Sequence, residues 1–327
     1  MEELTFPEGQ PKLTELHSHV GSAVSPEIMW SIAHSQGIKI KGKDYWAFRN
    51  TITVWPDKVK SLDEYLELFN ITELIQSSPE GMERSVYSIV TGAYRKNLIT
   101  RLELRFNPML RNRGGERDLD HIIRAAVRGM ERATLEYPVK AGLILMLDRR
   151  FDERKNNIIL DKAIAYKEKG VIGVDVGGPY HDEFDFKHYT EAYARAEKAG
   201  LGLTAHAGET RKQGIREAVE LGVTRIGHGV HSAWDDSLLK LLRDRGVTLE
   251  LCPTSNLRTR ALKSEEELSF VVNKLKEAEV KFTVNTDGPE MLCTSLRKER
   301  ALLQRIGALD EDGLAECEEW ARQASFL

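Results

Sequence analysis

Short runs of β-branched and other apolar residues recur along the chain, and between them lie longer stretches with apolar residues at helical spacing. This pattern predicts eight strands, at 12–20, 100–107, 140–147, 171–176, 201–206, 225–228, 247–251 and 281–286. Strands that alternate with helices are typical of a parallel sheet. Eight such units predict an α/β fold, a (β/α)8 TIM barrel in which residues 1–327 form a single domain.

Several of the helical stretches also carry stop signals at their ends. We expect helices at 118–137, 186–199, 215–221, 235–245 and 265–278. The first stops before Pro138, and Gly200, Gly222 and Gly246 follow the next three. Glycine just past the last turn is a common helix terminator, so these positions support the boundaries.

Residues 21–98 are too long for one connection between a strand and a helix, and they are rich in aromatic residues. We interpret them as a helical insertion after strand 1 that covers the mouth of the barrel. An ordinary packing subdomain is the alternative. We favour a lid, because insertions at that end of a barrel usually face the substrate.

Composition narrows the class of protein. The chain is 41% hydrophobic and 30% charged, with a net charge of −4, which argues against a general nucleic-acid or membrane-surface binder. We see no signal-peptide pattern and no apolar run long enough for a membrane span. Cys252, Cys293 and Cys317 form no CxxC pair, so we expect reduced thiols and a cytoplasmic protein. The oligomeric state cannot be read from this pattern.

Four residues of the type that binds metals stand where predicted strands end. His17 and His19 are separated by one residue on strand 1, so their side chains point to the same face. His206 and Asp287 end strands 5 and 8. Active sites of such barrels lie at the carboxyl ends of the strands. Three imidazoles and one carboxylate suit zinc, and a metal that activates water indicates a hydrolase.

Two further residues complete the predicted chemistry. Glu209 follows His206 after a small Ala-Gly step, and we expect it to move protons between water and the leaving group. His228, which could otherwise simply belong to a constrained turn, would orient the attacking water and stabilise developing charge. We expect His231 to support the site from behind.

Polar residues also alternate along the second predicted strand. Glu103 and Arg105 lie between apolar neighbours, so they should point into the barrel. We interpret them as members of a structural network.

Seven segments together resemble the adenosine deaminase family of metal-dependent amidohydrolases. They appear in that family's order and spacing and cover nearly the whole chain. These segments are 11–19 (PKLTELHSH), 102–108 (LELRFNP), 174–178 (VDVGG), 206–209 (HAGE), 225–231 (RIGHGVH), 252–256 (CPTSN) and 285–287 (NTD).

The resemblance implies a single catalytic zinc per chain and hydrolytic removal of the 6-amino group of a purine. It implies the four metal ligands already named, with Glu209 as the proton shuttle to purine N1 and His228 as the residue that orients the hydroxide. It also implies that Gly178 offers backbone contact to the purine edge. The substrate partner would be a small purine molecule, with no nucleic acid and no membrane involved.

Two positions depart from the family's pattern. Where adenosine deaminases usually carry an acidic residue after the first metal motif, this chain has Gly21, and Gly288 replaces the aspartate that usually follows the metal aspartate. Both changes remove charge and bulk from the expected pocket. They suggest a modified or 5′-substituted adenosine as substrate, with Gly288 leaving room for a modified base.

Several functions stay open at this point. Adenosine, 2′-deoxyadenosine, adenine, N6-methyl-AMP and aminodeoxyfutalosine are candidate substrates, and iron, cobalt or manganese could replace zinc. A second class is amide, lactone or phosphoester hydrolysis, or pterin deamination, on the same barrel. A third is a binding protein without activity, which would be expected to have lost a ligand or Glu209. Lys41, Lys43 and Arg49 could meet a charged substrate, although solvated lid charges are the more ordinary interpretation.

Overall fold

The computed structural model describes residues 10–40, 42–56, 58–112, 118–181 and 184–327. Within them, eight parallel strands form one sheet in the order β1 to β8, as the sequence pattern predicts. The strands are β1 (Leu13–His19), β2 (Ile99–Phe106), β3 (Lys140–Asp148), β4 (Val171–Gly177), β5 (Gly202–Ala207), β6 (Arg225–His228), β7 (Thr248–Leu251) and β8 (Phe282–Val284).

The chain after β8 brings the last strand back to the first. Ser18 and Asp287 form a parallel bridge there. The amide of His19 donates to the carbonyl of Asp287 at 2.8 Å, and the amide of Asp287 donates to the carbonyl of His17 at 2.9 Å. The sheet is thus a nearly closed (β/α)8 barrel, and its closing contacts involve three of the predicted metal ligands.

Helices surround the sheet. They are α1 (Val20–Ala23), α2 (Pro26–Ser35), α3 (Tyr45–Ile52), α4 (Leu62–Ile75), α5 (Pro79–Asn97), α6 (Leu119–Glu136), α7 (Glu153–Ala165), α8 (Thr190–Lys198), α9 (Ile215–Glu220), α10 (Asp236–Arg245), α11 (Pro253–Arg258), α12 (Glu265–Glu277), α13 (Leu296–Arg305) and α14 (Glu311–Ala324). Among these described helices, none combines the length and the hydrophobicity that crossing a bilayer requires.

The segment 21–98 is helical, but not all of it covers the barrel mouth. Helix α5 packs against α6 and β2, so it takes the place of an ordinary barrel helix. Helix α4 contributes Leu62, Tyr65, Leu66 and Phe69 to the wall of the cavity at the carboxyl ends of the strands. A lid role for this segment stays a prediction.

The inside of the barrel is polar near the strands' carboxyl ends, whereas its amino-terminal side is covered by the end of the chain. The ring of Phe326 lies against Gly202, where a Cβ atom would come within 2.2 Å of it, and under the guanidinium of Arg225, 3.6 Å from the ring centroid. Glu103 accepts hydrogen bonds from the hydroxyl of Ser325 and the amide of Phe326. This arrangement confirms a structural role for Glu103.

Candidate active site

The predicted metal ligands come together at the carboxyl end of the barrel. The Nε2 atom of His19 lies 3.3 Å from Nε2 of His17 and 3.2 Å from Nε2 of His206. The Oδ1 atom of Asp287 lies 3.3 Å from Nε2 of His19 and 3.9 Å from Nε2 of His17. Metal–ligand bonds of about 2.1 Å at tetrahedral angles put ligand atoms roughly 3.4 Å apart. The three histidines therefore have the spacing of a single-ion site, and Asp287 lies beside two of them.

Two buried carboxylates contact the Nδ1 atoms of two of these histidines. The Nδ1 atom of His17 lies 2.7 Å from Oε2 of Glu250, and Nδ1 of His206 lies 2.9 Å from Oδ2 of Asp175. A ring that donates from Nδ1 to a carboxylate keeps the Nε2 lone pair for a metal and fixes the ring's orientation. Both imidazoles are thus presented in the form that a cation requires.

Arg105 binds both of these carboxylates. Its guanidinium lies 3.0 Å from Oδ2 of Asp175 and 2.8 Å from Oε2 of Glu250, and it donates to the carbonyl of Leu16 at 2.6 Å. Burial alone would raise the pKa of Asp175, but His206 and Arg105 hold it well below its ordinary value. Arg105 therefore belongs to the predicted buried network, and that network supports the metal ligands.

The fourth ligand depends on a strained backbone and a short helix. Asp287 has φ of +61°, a conformation that costs energy for residues other than glycine. Its Oδ2 atom accepts from the hydroxyl of Ser255 at 2.5 Å. Ser255 reaches it because β7 ends at Leu251 and α11 begins at Pro253, a favoured first helical residue.

Glu209 and His228 face each other beside the metal ligands. The Oε2 atom of Glu209 lies 3.7 Å from Nε2 of His228, and both residues line the same cavity as His19 and His206. Burial, assisted by the charge of Asp287, raises the pKa of Glu209 to about 8. A carboxyl group with such a pKa can hold and release a proton near neutral pH.

The backbone explains how these two side chains reach the cavity. Gly208 has φ of +69° and makes the turn that places Glu209. His228 has φ of +64°, which redirects a side chain that regular alternation along β6 would point away from the barrel interior. Its Nδ1 atom lies 3.0 Å from Nδ2 of Asn256, and this contact fixes the ring.

Cys252 is a further residue with a possible ligand atom. Its thiol, His17 and His228 have ligand atoms within 4.8 Å of one another. Burial raises the pKa of Cys252 well above its ordinary value, and a protonated thiol is a poor metal ligand. The set of three histidines and Asp287 is the better metal site.

The structure corrects one idea about the two unusual glycines. A Cβ atom at Gly288 would lie 2.6 Å from the hydroxyl oxygen of Tyr65 and 2.7 Å from Oγ of Ser22, and one at Gly21 would lie 2.8 Å from the ring of Phe69. The expectation that these glycines leave open room is therefore wrong, because aromatic side chains of α4 occupy that space. Substrate contact at either position stays a prediction.

Gly178 does line the cavity. It has φ of +92°, and a Cβ atom there would lie 3.0 Å from Oδ1 of Asp148. Its carbonyl accepts a hydrogen bond from Arg149. A backbone contact between Gly178 and the substrate fits this position and also remains a prediction.

Other predicted contributors lie away from the cavity. The ring of His231 packs beside Trp234, and its Nε2 atom lies 3.1 Å from the carbonyl of Ala261. Its backbone amide donates to the carbonyl of Gly208 at 2.9 Å, so a supporting role for His231 stays a prediction. The guanidinium of Arg49 stacks on Trp55. Lys43 is exposed, and Lys41 lies outside the described residues.

Sequence reasoning missed the supporting residues Asp175, Glu250, Ser255 and Asn256. For the two carboxylates a signal was present, since each is the inward-facing acidic residue of a strand whose neighbours are apolar. For Ser255 and Asn256 no local pattern shows which ligand they would contact.

A (β/α)8 barrel with three histidines and a carboxylate at the carboxyl ends of its strands has the arrangement of a metal-dependent hydrolase. Comparison with known proteins specifies this class further. A family model described as adenosine deaminase matches residues 11–327. The chain is 30% identical over 308 residues to an adenosine deaminase of Shewanella woodyi, covering 93% of this chain and 91% of that one. The chain therefore belongs to the adenosine deaminase family, whose enzymes are hydrolases that act on C–N bonds.

Solved structures confirm the fold. The crystal structure of an adenine deaminase from Arthrobacter aurescens superposes with a TM-score of 0.86 at 21% identity, covering 97% of this chain and 94% of that one. The crystal structure of an Arabidopsis N6-mAMP deaminase gives a TM-score of 0.83 at 21% identity, covering 97% and 94% of the two chains.

Proposed function

We propose that this protein is a zinc-dependent deaminase that replaces the 6-amino group of an adenine nucleoside, or of a related purine, by oxygen and releases ammonia. The observation that carries this proposal is that His19, His206, Asp287, Glu209 and His228 line one cavity, with His17 grouped with the other two metal-type histidines. Family membership makes purine deamination the reaction to test first.

The donor set fits a borderline divalent cation. His17, His19 and His206 would each offer Nε2, and Asp287 would offer Oδ1. A bound zinc ion would lower the pKa of a coordinated water so that it can attack near neutral pH. Related cations accept similar ligands, so metal analysis has to accompany any activity measurement.

The protein's own residues would move the protons. Water adds to C6 of the purine, and Glu209 takes a proton from that water and delivers one to the ring nitrogen beside C6. The amino group then receives the second proton of that water, relayed by Glu209 from the oxygen added at C6, and the C–N bond breaks to release ammonia and leave the 6-oxo product. His228, held by Asn256, would orient the attacking water and stabilise the charge that develops on its oxygen.

The test is release of the 6-amino group by the zinc-loaded protein, measured as ammonia from adenosine, 2′-deoxyadenosine, adenine and aminodeoxyfutalosine and as methylamine from N6-methyl-AMP. An aminopterin, an amide, a lactone and a phosphoester serve as outgroups, and the acid or phosphate product is measured for the last two. Turnover of a purine well above every outgroup is the expected result. Turnover of an outgroup alone would contradict the proposal and favour another hydrolase on the same barrel.

One observation already weighs against relatives that use two metals bridged by a carboxylated lysine. Among the described residues that line the cavity, none is a lysine. One zinc ion per chain is therefore the expected stoichiometry.

A further inference from the structure

A buried chain of charged side chains links the amino-terminal side of the barrel to the proposed metal ligands. Its members, in order of contact, are Glu103, Arg225, Glu250, Arg105 and Asp175, and all five are fully buried. Negative and positive groups alternate, so each arginine lies between two carboxylates. Because an unpaired buried charge is costly, each member depends on its neighbours.

Glu250 is the member that connects this chain to His17. Its Oε2 atom lies 2.7 Å from Nδ1 of His17. Its Oε1 atom forms an ion pair with Nε of Arg225 at 2.7 Å and accepts from the hydroxyl of Thr204 at 3.2 Å. The two oxygens of a carboxylate lie in one rigid plane, so the contacts of Oε1 determine where Oε2 points. The orientation of His17 therefore depends on the groups that hold the other oxygen of Glu250.

Arg225 crosses the interior of the barrel to make its contacts. It stands at the start of β6, and its Nη2 atom donates to Oε2 of Glu103 on β2 at 2.6 Å. Its Nη1 atom donates to the carbonyl of Ala324, the last residue of α14, at 2.9 Å. A guanidinium presents its donors in a fixed planar fork, which lets one side chain meet several partners at once. The group that contacts Glu250 is thus fastened to β2 and to α14.

Phe326 covers one face of that guanidinium. The centroid of its ring lies 3.6 Å from Cζ of Arg225. Two glycines make room for the ring, since a Cβ atom would come within 2.2 Å of it at Gly202 and 3.0 Å at Gly173. Because neither glycine has a side chain, loss of the ring would leave a gap beside the buried ion pairs. Water in such a gap would weaken the attraction between the charges.

We propose that Phe326 and Arg225 are positioning residues for the proposed metal site and act on His17 through Glu250. The ring keeps the guanidinium in place and excludes water, the guanidinium holds Oε1 of Glu250, and Oε2 then fixes the imidazole of His17. Neither residue is among the described residues that line the active-site cavity. This inference rests on the metal site of the proposed function and does not depend on which purine is the substrate.

The first test measures the zinc affinity of Phe326→Ala by competition with a chelator of known affinity. We expect the Kd for zinc to rise about three- to tenfold, less than the roughly 10- to 100-fold typical of a group that contacts a metal ligand directly. The visible absorption of the cobalt-loaded protein should change as well, because it reports the geometry of the ligands. Both are measured at a temperature at which circular dichroism shows each metal-free protein to be folded.

Trp320→Ala is the matched control for that variant. Trp320 lies on α14, and its ring packs against that of Phe282 with 5.6 Å between the centroids. Its removal takes away an aromatic contact in the same part of the chain, so it should lower Tm and leave the zinc affinity and the cobalt spectrum unchanged. Phe326→Leu keeps part of the cover over the guanidinium and should raise the Kd less. It also provides the measurement if Phe326→Ala does not fold.

Arg225→Lys tests the other positioning residue. An ammonium keeps the charge but lacks the planar fork that meets Glu103 and Glu250 together. We expect the Kd for zinc to rise about tenfold. Phe326→Ala should add little in that background, because both changes act through the same oxygen of Glu250. Saturating zinc should restore most of the ammonia release of each variant.

Three outcomes would overturn the inference. If folded Phe326→Ala, Phe326→Leu and Arg225→Lys bind zinc like the wild type and give its cobalt spectrum, both residues only stabilise the barrel, and the proposed deaminase function stands. Fully additive losses in the double variant would mean that the two residues do not act through one oxygen. A wild-type protein that binds neither zinc nor cobalt would overturn the proposed metal site and this inference together.

Discussion

His228 and Asp287 both have a positive φ, a conformation that is unfavourable for residues with a side chain and is concentrated at functional sites in proteins. Both are buried, and both hold their side chains toward the same group of atoms. The surrounding contacts with Asn256 and Ser255 keep them there. At the scale of single residues, the strained backbone conformations of His228 and Asp287 direct both side chains toward the same group of imidazoles.

Glu209 is the residue whose role can be tested most directly. Glu209→Gln keeps the shape of the side chain and removes the acid, so we expect kcat to fall by about two to four orders of magnitude. Metal content should not change, because Glu209 is not one of the proposed ligands. Ammonia release and metal analysis on the same sample measure both quantities.

The control for that variant is Glu191→Gln, the same change at an exposed position of α8. It should leave kcat unaltered. Near-full activity of Glu209→Gln would remove Glu209 from the mechanism and require another group for the protons.

The Asp175 carboxylate should affect the affinity for zinc more than the proton transfers of the reaction. Asp175→Asn replaces the carboxylate that lies 2.9 Å from Nδ1 of His206, so the imidazole loses both orientation and basicity. We expect the affinity for zinc to fall about 10- to 100-fold. Competition with a chelator of known affinity measures the change.

Saturating zinc should restore much of the activity of Asp175→Asn, whereas it should not rescue Glu209→Gln. Asp161→Asn on the exposed face of α7 provides the matched control and should bind zinc like the wild type. Unchanged zinc affinity in Asp175→Asn would mean that this contact only helps the barrel to fold.

At the level of individual residues, the sequence predicts the ligands better than their support. His17 and His19 are recognisable because their spacing matches the alternation of a strand. Asp175 and Glu250 were missed because an inward-facing carboxylate in a strand has many possible partners. Which of them it meets depends on strands that are distant in sequence.

At the scale of elements, helix α4 packs closely against the turn after β8. A Cβ atom at Gly288 would lie 2.6 Å from the hydroxyl oxygen of Tyr65, and Ser22 would be nearly as close. We expect Gly288→Ala to destabilise the protein by about 1–3 kcal/mol, the usual range for overpacking, and to lower activity because Asp287 is adjacent. Chemical denaturation measures the first effect.

A double-mutant cycle shows whether the contact itself is the cause. Tyr65→Phe removes the hydroxyl oxygen, so Gly288→Ala should be about 0.5 kcal/mol or more less destabilising in that background. Gly92→Ala in α5, where a new Cβ meets no atom within 4 Å, controls for the glycine replacement itself. Purely additive effects would contradict this account of α4.

The strands and the helices α6, α8, α9, α10 and α12 were predicted, because their periodicity is local. The last strand was expected at 281–286, but it is only Phe282–Val284, since the chain then turns to bring Asp287 beside β1. Helices α7, α11, α13 and α14 were not predicted. Nothing in the local pattern showed that α5 would pack as a barrel helix, because that position is set by its contacts with α6 and β2.

On the scale of the whole molecule, the proposed metal site joins strands from opposite ends of the sequence. His17 and His19 lie on β1, His206 on β5, and Asp287 follows β8. The same region closes the barrel through the hydrogen bonds between Asp287 and β1. Metal binding should therefore stabilise the fold as well as enable the reaction.

Removal of the metal tests this coupling. A ligand that binds only the folded state at a free concentration of 1,000 times its Kd adds about 4 kcal/mol of stability. We expect chelation to abolish ammonia release and to lower Tm, and added zinc to reverse both changes at one ion per chain. Asp287→Asn should respond far less to zinc, because it weakens the ligand that also closes the barrel. Two tightly bound ions per chain would contradict a single catalytic metal. An unchanged Tm on zinc removal, with activity retained, would contradict it as well, because a cation held between β1, β5 and the end of β8 cannot be removed without weakening those connections.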